Sequence, residues 1–248
     1  MKKLFIAFAL TSALFSCKKE TSTPNNSGNT TTDTTKTSNQ TIGKPGPNIT
    51  DAEGNSYKTV FIGTQQWMGE NLKVSKYSDG TTIPNITDNI EWEYTTTGAW
   101  AYYNNDAANN AKYGKLYNWY AVSKTTNGNK NVCPTGWHVP TDAEWTVLTD
   151  YLGGESVAGG KLKEARTTNW NGPNADATNI SLFTGLPGGY RYDGGGYSTI
   201  GSNGNWWSST ESSTNAAWSR NLSSLFGNAN SIGGYDKRVG FSVRCLRD

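Results

Sequence analysis

The order of patterns along this 248-residue chain predicts an α+β domain, two main helices packed on short antiparallel sheets, preceded by a disordered linker. Three observations predict it. The β-branched and aromatic run Tyr57-Lys-Thr-Val-Phe-Ile62 reads as an opening strand. Two segments with apolar residues at helical spacing follow in the middle of the chain. The last third then changes to short strand candidates separated by Gly and Asn, which favours segregated helices and antiparallel strands over a parallel βαβ fold.

The N-terminus reads as an address. Lys2 and Lys3, the apolar stretch Leu4 to Phe15, and small or apolar residues up to Cys17 have the n-region and h-region of an export signal. That stretch is 12 residues long, short of the roughly 20 that span a bilayer. Leu14-Phe15-Ser16-Cys17 resembles a bacterial lipobox, in which the cysteine takes a diacylglycerol and becomes the new N-terminus. Residues 1–16 are therefore expected as a lipoprotein signal peptide and Cys17 as the lipidated, palmitate-bearing anchor, with an incidental cysteine after an ordinary signal as the alternative. Each buried acyl methylene contributes about 0.8 kcal/mol, so several chains hold firmly.

Residues 17–50 form the expected tether. Of the 33 residues from 18 to 50, 25 are Thr, Ser, Asn, Gln, Pro or Gly, and only Ile42 and Ile49 are clearly apolar, too few to bury a core. Such a spacer has a root-mean-square span of roughly 30 Å and a stretched limit of about 110 Å. Lys18-Lys19-Glu20 resembles the surface-export signals of Bacteroidetes lipoproteins, solvated linker charge being the other reading.

From Asp51 to Asp248 the chain is dense in Trp, Tyr and Gly with no second polar interruption, so one domain is expected over 51–248. Glu53-Gly54-Asn55 reads as a hairpin turn; as a calcium loop, Asp51, Glu53 and Asn55 lack the length and the closing Glu of an EF-hand. Leu116, Tyr117, Tyr120 and Ala121 predict a helix over Tyr113–Val122. A second helix is signposted by the capping box Thr141-Asp-Ala-Glu144, by Trp145, Leu148 and Leu152 at i, i+3 and i+7, and by the stop Gly153-Gly154. A weaker helical stretch covers Val157–Arg166. Strands are expected at Ile180–Leu186, Trp206–Ser209, Ala217–Leu222 and Val239–Leu246.

Charge and histidine content exclude several functions. Removing residues 1–16, with Lys2 and Lys3, brings the formal balance from +2 to zero, and no basic cluster follows Lys18-Lys19, so no nucleic-acid partner is expected. His138 is the single imidazole, which rules out a multi-His zinc site and makes any triad depend wholly on it. It sits just ahead of a capped helix, where a hydrogen-bonded structural role competes with acid–base chemistry. Asp142 and Glu144 form an acidic pair of the kind that a helix N-terminus favours without catalysis. No Walker loop, nucleophile elbow, dinucleotide fingerprint or HExxH is present.

With Cys17 assigned to lipid, Cys133 and Cys245 remain as an even pair in an exported protein and are expected to form a disulfide, two buried free thiols being the alternative. Motifs in order then carry a resemblance: Gln66-Trp-Met-Gly-Glu-Asn-Leu72, Leu116-Tyr-Asn-Trp-Tyr120, Cys133-Pro-Thr-Gly-Trp-His-Val-Pro-Thr-Asp-Ala-Glu-Trp145, Leu186-Pro-Gly-Gly-Tyr-Arg191, Trp206-Trp-Ser-Ser-Thr-Glu211 and Gly240-Phe-Ser-Val-Arg-Cys245. Together they resemble the Fibrobacter succinogenes major paralogous domain over essentially residues 51–248, a family of exported and lipid-anchored proteins. Val139-Pro-Thr-Asp-Ala-Glu-Trp145 and Gly240-Phe-Ser-Val-Arg244 are more distantly similar to formylglycine-generating and sulfatase-modifying enzymes. That similarity implies a variant C-type-lectin-like fold, in which a cysteine beyond the first helix pairs with one in the last strand.

The resemblance brings two activities to test against the residues. Formylglycine-generating chemistry uses a copper-binding cysteine pair, whereas here Cys133 and Cys245 are placed to staple the domain. Calcium-dependent lectins use Glu-Pro-Asn or Gln-Pro-Asp loops, and Gly172-Pro173-Asn174 lacks the first ligand. No catalytic residue, metal or cofactor is therefore expected. The aromatic supply remains: Tyr190, Arg191, Trp206, Trp207 and Trp218 are the candidate ligand-binding residues, because Trp, Tyr and Arg stack on sugar rings and anchor protein partners. Core packing competes for the same rings, since strand alternation sends one of Trp206 and Trp207 inward.

The expected protein is a lipid-anchored component of the cell envelope, in the outer membrane and exposed at the surface. It presents a non-catalytic recognition or adhesion module for polysaccharide or a surface protein. An envelope enzyme or enzyme accessory related to sulfatase modifiers, and a structural adhesion component, are the alternatives.

Overall fold

The computed structural model describes residues 42–248; Cys17, the signal segment and the tether as far as residue 41 lie outside the described residues. The first part comprises β1 (Lys44–Thr50), β2 (Ser56–Ile62), β3 (Gln65–Met68), α1 (Asn89–Tyr94), β4 (Trp100–Ala101), α2 (Ala108–Tyr113), β5 (Leu116–Tyr117), α3 (Trp119–Val122) and β6 (Trp137–His138). The second comprises α4 (Asp142–Tyr151), α5 (Glu155–Leu162), β7 (Gly188–Arg191), β8 (Tyr197–Ile200), β9 (Asn203–Ser213), β10 (Ala216–Ser223), β11 (Ala229–Asp236) and β12 (Leu246–Arg247). The α+β class therefore holds.

Two five-stranded sheets organise these elements, in the orders β1-β2-β3-β12-β6 and β11-β10-β9-β7-β8, beside a two-stranded β4-β5 ribbon. The first sheet is antiparallel and joins both ends of the domain, because Leu246 pairs with Trp67 on one side and His138 on the other. In the second, β9 and β10 form a long antiparallel hairpin, while β7 touches β9 in parallel at Gly189 and Gly204.

Each sheet face needs a cover, and two aromatic cores supply it. One gathers Tyr57, Tyr117, Trp119, Trp207, Phe241 and the two cysteines; the other gathers Trp67, Trp145, Leu148, Trp170, Phe183 and Trp206. Strand alternation sends Trp206 and Trp207 to opposite faces of β9. Because both faces are covered, both rings are buried, at 1% and 0% exposure.

The predicted turn and capped helix are in place. Asp51 accepts from the backbone N–H groups of Glu53 and Asn55, from Asn55 Nδ2 at 2.8 Å and from the Tyr57 hydroxyl at 2.7 Å, closing the β1–β2 hairpin. Thr141 and Glu144 form the reciprocal capping box of α4, and Gly153 and Gly154 end it at φ values of 99° and 96°, where a side chain would be strained.

Five expectations are corrected. The expected disordered tether ends early, since residues 44–50 form strand β1: its backbone pairs with β2, and Gly43 and Ile42 donate to the Ile180 carbonyl. The helix expected over Tyr113–Val122 is broken. Gly114 at φ 73° terminates α2, Leu116–Tyr117 pair with Trp100–Ala101, and Asn118 caps a new single turn. The weaker helix runs over Glu155–Leu162 and stops short of Arg166. The strand expected at Ile180–Leu186 is an irregular loop with Leu182 and Thr184 at positive φ, and Arg244 donates to the carbonyls of Phe183 and Thr184. The segment expected as one strand over Val239–Leu246 threads between partners instead, bridging Arg191, Tyr117 and Trp206 before β12.

Candidate functional site

Cys133 and Cys245 form the expected disulfide, with an S–S distance of 2.04 Å and Cα atoms 5.9 Å apart. It fastens the segment after α3 to the residue preceding β12. Beside it lies a groove of about 700 Å³ between the Thr50–Glu53 turn, Val74–Ser78 and Val132–Thr135. Polar groups there are engaged: Glu53 accepts from the Ser75 N–H and hydroxyl, and Tyr57 donates to Asp51 while accepting from the Lys73 N–H.

The five candidate ligand residues do not converge. Trp206 and Trp207 are core, their Nε1–H groups spent on Asn71 Oδ1 and the Tyr117 carbonyl, so neither offers a face to a ligand. Arg191 is also corrected: it is 0% exposed, stacks 4.2 Å from the Trp92 ring, and donates to the carbonyls of Gly195, Ile86, Thr87 and Asp88. Tyr190 is half-buried, packed edge-on against Tyr192 and Phe241. Trp218 is half-buried, its ring lying across Gly233.

The acidic pair and the lone histidine also divide. Asp142 receives Arg220 and lies 3.3 Å from the Ser231 hydroxyl. Glu144 accepts from Thr141 and from His138 Nε2 at 2.9 Å, while His138 Nδ1 meets Asp248 at 2.7 Å. Burial raises the Glu144 carboxyl, but the hydrogen bonds from Thr141 and His138 outweigh it and hold the group below its ordinary value. Among the described residues no group of three His, Cys, Asp or Glu side chains is placed to hold a metal ion.

A different surface hollow brings aromatic and polar groups together. About 290 Å³ in volume, it is lined by Glu93, Tyr94, Thr96, Tyr120, Asn215, Asp236 and Arg238. Tyr94, the last residue of α1, is 74% exposed. Arg238 forks onto Asp236, Nε to Oδ1 and Nη2 to Oδ2, both at 2.8 Å. The same guanidinium reaches the Glu93 carbonyl at 3.1 Å and Asp193 at 3.5 Å. Its hydrogen bonds and charge hold Asp236 below its ordinary value against a burial penalty. Burial first, and the nearby Asp236 carboxylate second, raise the Tyr120 phenol, so it keeps its proton. Sequence reasoning missed these residues because they come from α1, α3, the β9–β10 turn and the end of β11; Asp236-Lys-Arg238 is the one local signal among them.

Fold and site thus define a disulfide-stapled α+β domain carrying an aromatic, carboxylate-rich surface hollow. The Fibrobacter succinogenes major domain model matches residues 60–247, and the chain belongs to that family. It matches no curated protein and no solved structure.

Proposed function

We propose that the chain is a cell-envelope lipoprotein whose stapled domain is a non-catalytic recognition module for polysaccharide. Acyl chains on Cys17 anchor it in the outer membrane, and the polar residues before β1 hold the domain off the bilayer at the cell surface. The observation that carries the reading is the hollow itself: exposed Tyr94, protonated Tyr120, Asn215 and the Asp236–Arg238 fork combine a stacking face with planar polar groups, the pairing that sugar rings require. Asp236 is held ionised, which suits an acceptor and not the proton donor that glycoside hydrolysis needs.

A variant C-type-lectin-like architecture is the finer reading of the α+β fold. The bridge from Cys133, after α3, to Cys245, beside the final strand, supports it. A glycan array probed with the full chain in detergent micelles tests the function: retention on polysaccharide is expected, unchanged by chelating calcium. No retention on any glycan overturns the reading. For the anchor, a palmitate analogue is expected to label the wild type and not Cys17→Ser; full label on the variant overturns it.

A further inference from the structure

Resting on the reading above, we infer that the hollow at Tyr94 and Asp236 takes one neutral sugar residue of a polysaccharide through the sugar's hydroxyl donors, and that its carboxylates turn acidic glycans away. Three observations lead there.

The first is the balance of acceptors and donors. Arg238 is the only cation lining the hollow, and four of its five N–H donors are held by the protein: Nε and Nη2 on Asp236, Nη2 also 3.5 Å from Asp193, and one Nη1 hydrogen on the Glu93 carbonyl. That leaves a single Nη1 hydrogen, too few for the paired donors that clamp a carboxylate or sulfate. The guanidinium therefore positions Asp236 and is not left to clamp a uronate or sulfate. A ligand instead meets the Asp236 carboxylate, whose remaining lone pairs accept from hydroxyl groups beside its Arg238 donors, while Glu93 adds a second negative charge to the lining, so that anions are repelled.

The second is the aromatic pair. Tyr94 presents an exposed ring, suited to the apolar C–H face of a pyranose. Tyr120 adds a phenol that its surroundings keep protonated, a donor to a ring or hydroxyl oxygen. The third is size. At about 290 Å³ the hollow sits at the lower edge of ligand pockets and suits a single ring, so it reads one residue and not an extended chain.

The test is affinity electrophoresis of the full chain in detergent micelles through gels containing galactomannan, laminarin, xyloglucan, polygalacturonate or chitosan. Retention by at least one of the three neutral polymers is expected, with none by polygalacturonate. Tyr94→Ala is expected to weaken that retention by about two- to tenfold, the loss of a stacking contact, without moving the melting temperature, because the ring is exposed. Tyr94→Trp is expected to keep it. Glu93→Lys is expected to admit polygalacturonate. Neutral binding undiminished in Tyr94→Ala overturns this site while leaving the recognition reading standing. Polygalacturonate or chitosan held more tightly than every neutral polymer overturns the ligand class. Wild-type protein retained by none of the five overturns the neutral-sugar assignment of the hollow, whereas the recognition reading falls only if the glycan array is also blank.

Discussion

Lys163 has its ammonium enclosed by the carbonyl oxygens of Ala175, Ser223 and Phe226 at 2.7 to 2.8 Å, with the Trp170 ring 5.5 Å away. Arg191 and Arg244 repeat the arrangement on other loops, and Lys237 does so on Glu211 and the Thr214 carbonyl. The physical reason is common to Lys163, Arg191 and Arg244, whereas Lys237 joins one carbonyl to an ion pair with Glu211. Irregular loops carry carbonyls that no sheet or helix satisfies, and a buried cation with several donors satisfies them at once. Lys163→Met orphans three carbonyls and is expected to cost about 3 kcal/mol in urea unfolding at pH 7. Burial pushes the Lys163 ammonium down to about 8 from the ordinary 10.5, nearby Asp176 opposing the shift. Between those values the unfolded chain binds a proton that the folded one has released, so linkage makes wild-type stability rise with pH relative to Lys163→Met across that window. A gap between the two proteins that narrows from pH 8 to 10 would contradict the assignment.

At the scale of elements, α4 shows local and tertiary forces agreeing. Its N-terminus is closed by Thr141 and Glu144, its buried face carries Trp145 and Leu148, and Asp142 ties the first turn to Arg220 of β10. Thr141→Val leaves the packing but removes the cap, and is expected to lower stability by about 1 kcal/mol in thermal or urea unfolding. Strand β9 shows tertiary covering deciding the role of a side chain. With rings buried on both faces, Trp207→Ala is expected to cost about 4 kcal/mol, the usual toll of emptying an aromatic site, and to melt the domain at lower temperature. Loss of glycan retention at unchanged stability in that variant would instead return Trp207 to the surface.

At the scale of the molecule, the 112-residue separation closed by Cys133 and Cys245 holds the end of the chain in the sheet where the domain begins. The chain-entropy argument assigns it about 4 to 5 kcal/mol, an upper figure. Reduction is accordingly expected to shift the urea midpoint strongly downward; an unchanged midpoint in dithiothreitol would show that the sheet holds without the staple. The bridge was legible from cysteine arithmetic, the hairpin at Asp51–Asn55 from its turn residues, and α4 from its caps, because each depends on neighbours in sequence or on redox compartment. The broken helix at Gly114 was not. Leu116 and Tyr117 have helical spacing, and only pairing with Trp100 and Phe241 pulls them into a strand.

The amino-acid sequence alone determined the α+β order, the capped helix, the pairing of its two domain cysteines and the family. Tertiary structure alone decided which aromatic rings are core and which face solvent, since Trp206, Trp207 and Tyr94 look equally available in a linear reading. It also decided the site, because Tyr94, Tyr120, Asn215 and Asp236 meet only once the second sheet, α1 and α3 pack together. Exposure and convergence are properties of packing between distant segments, and no local periodicity encodes them.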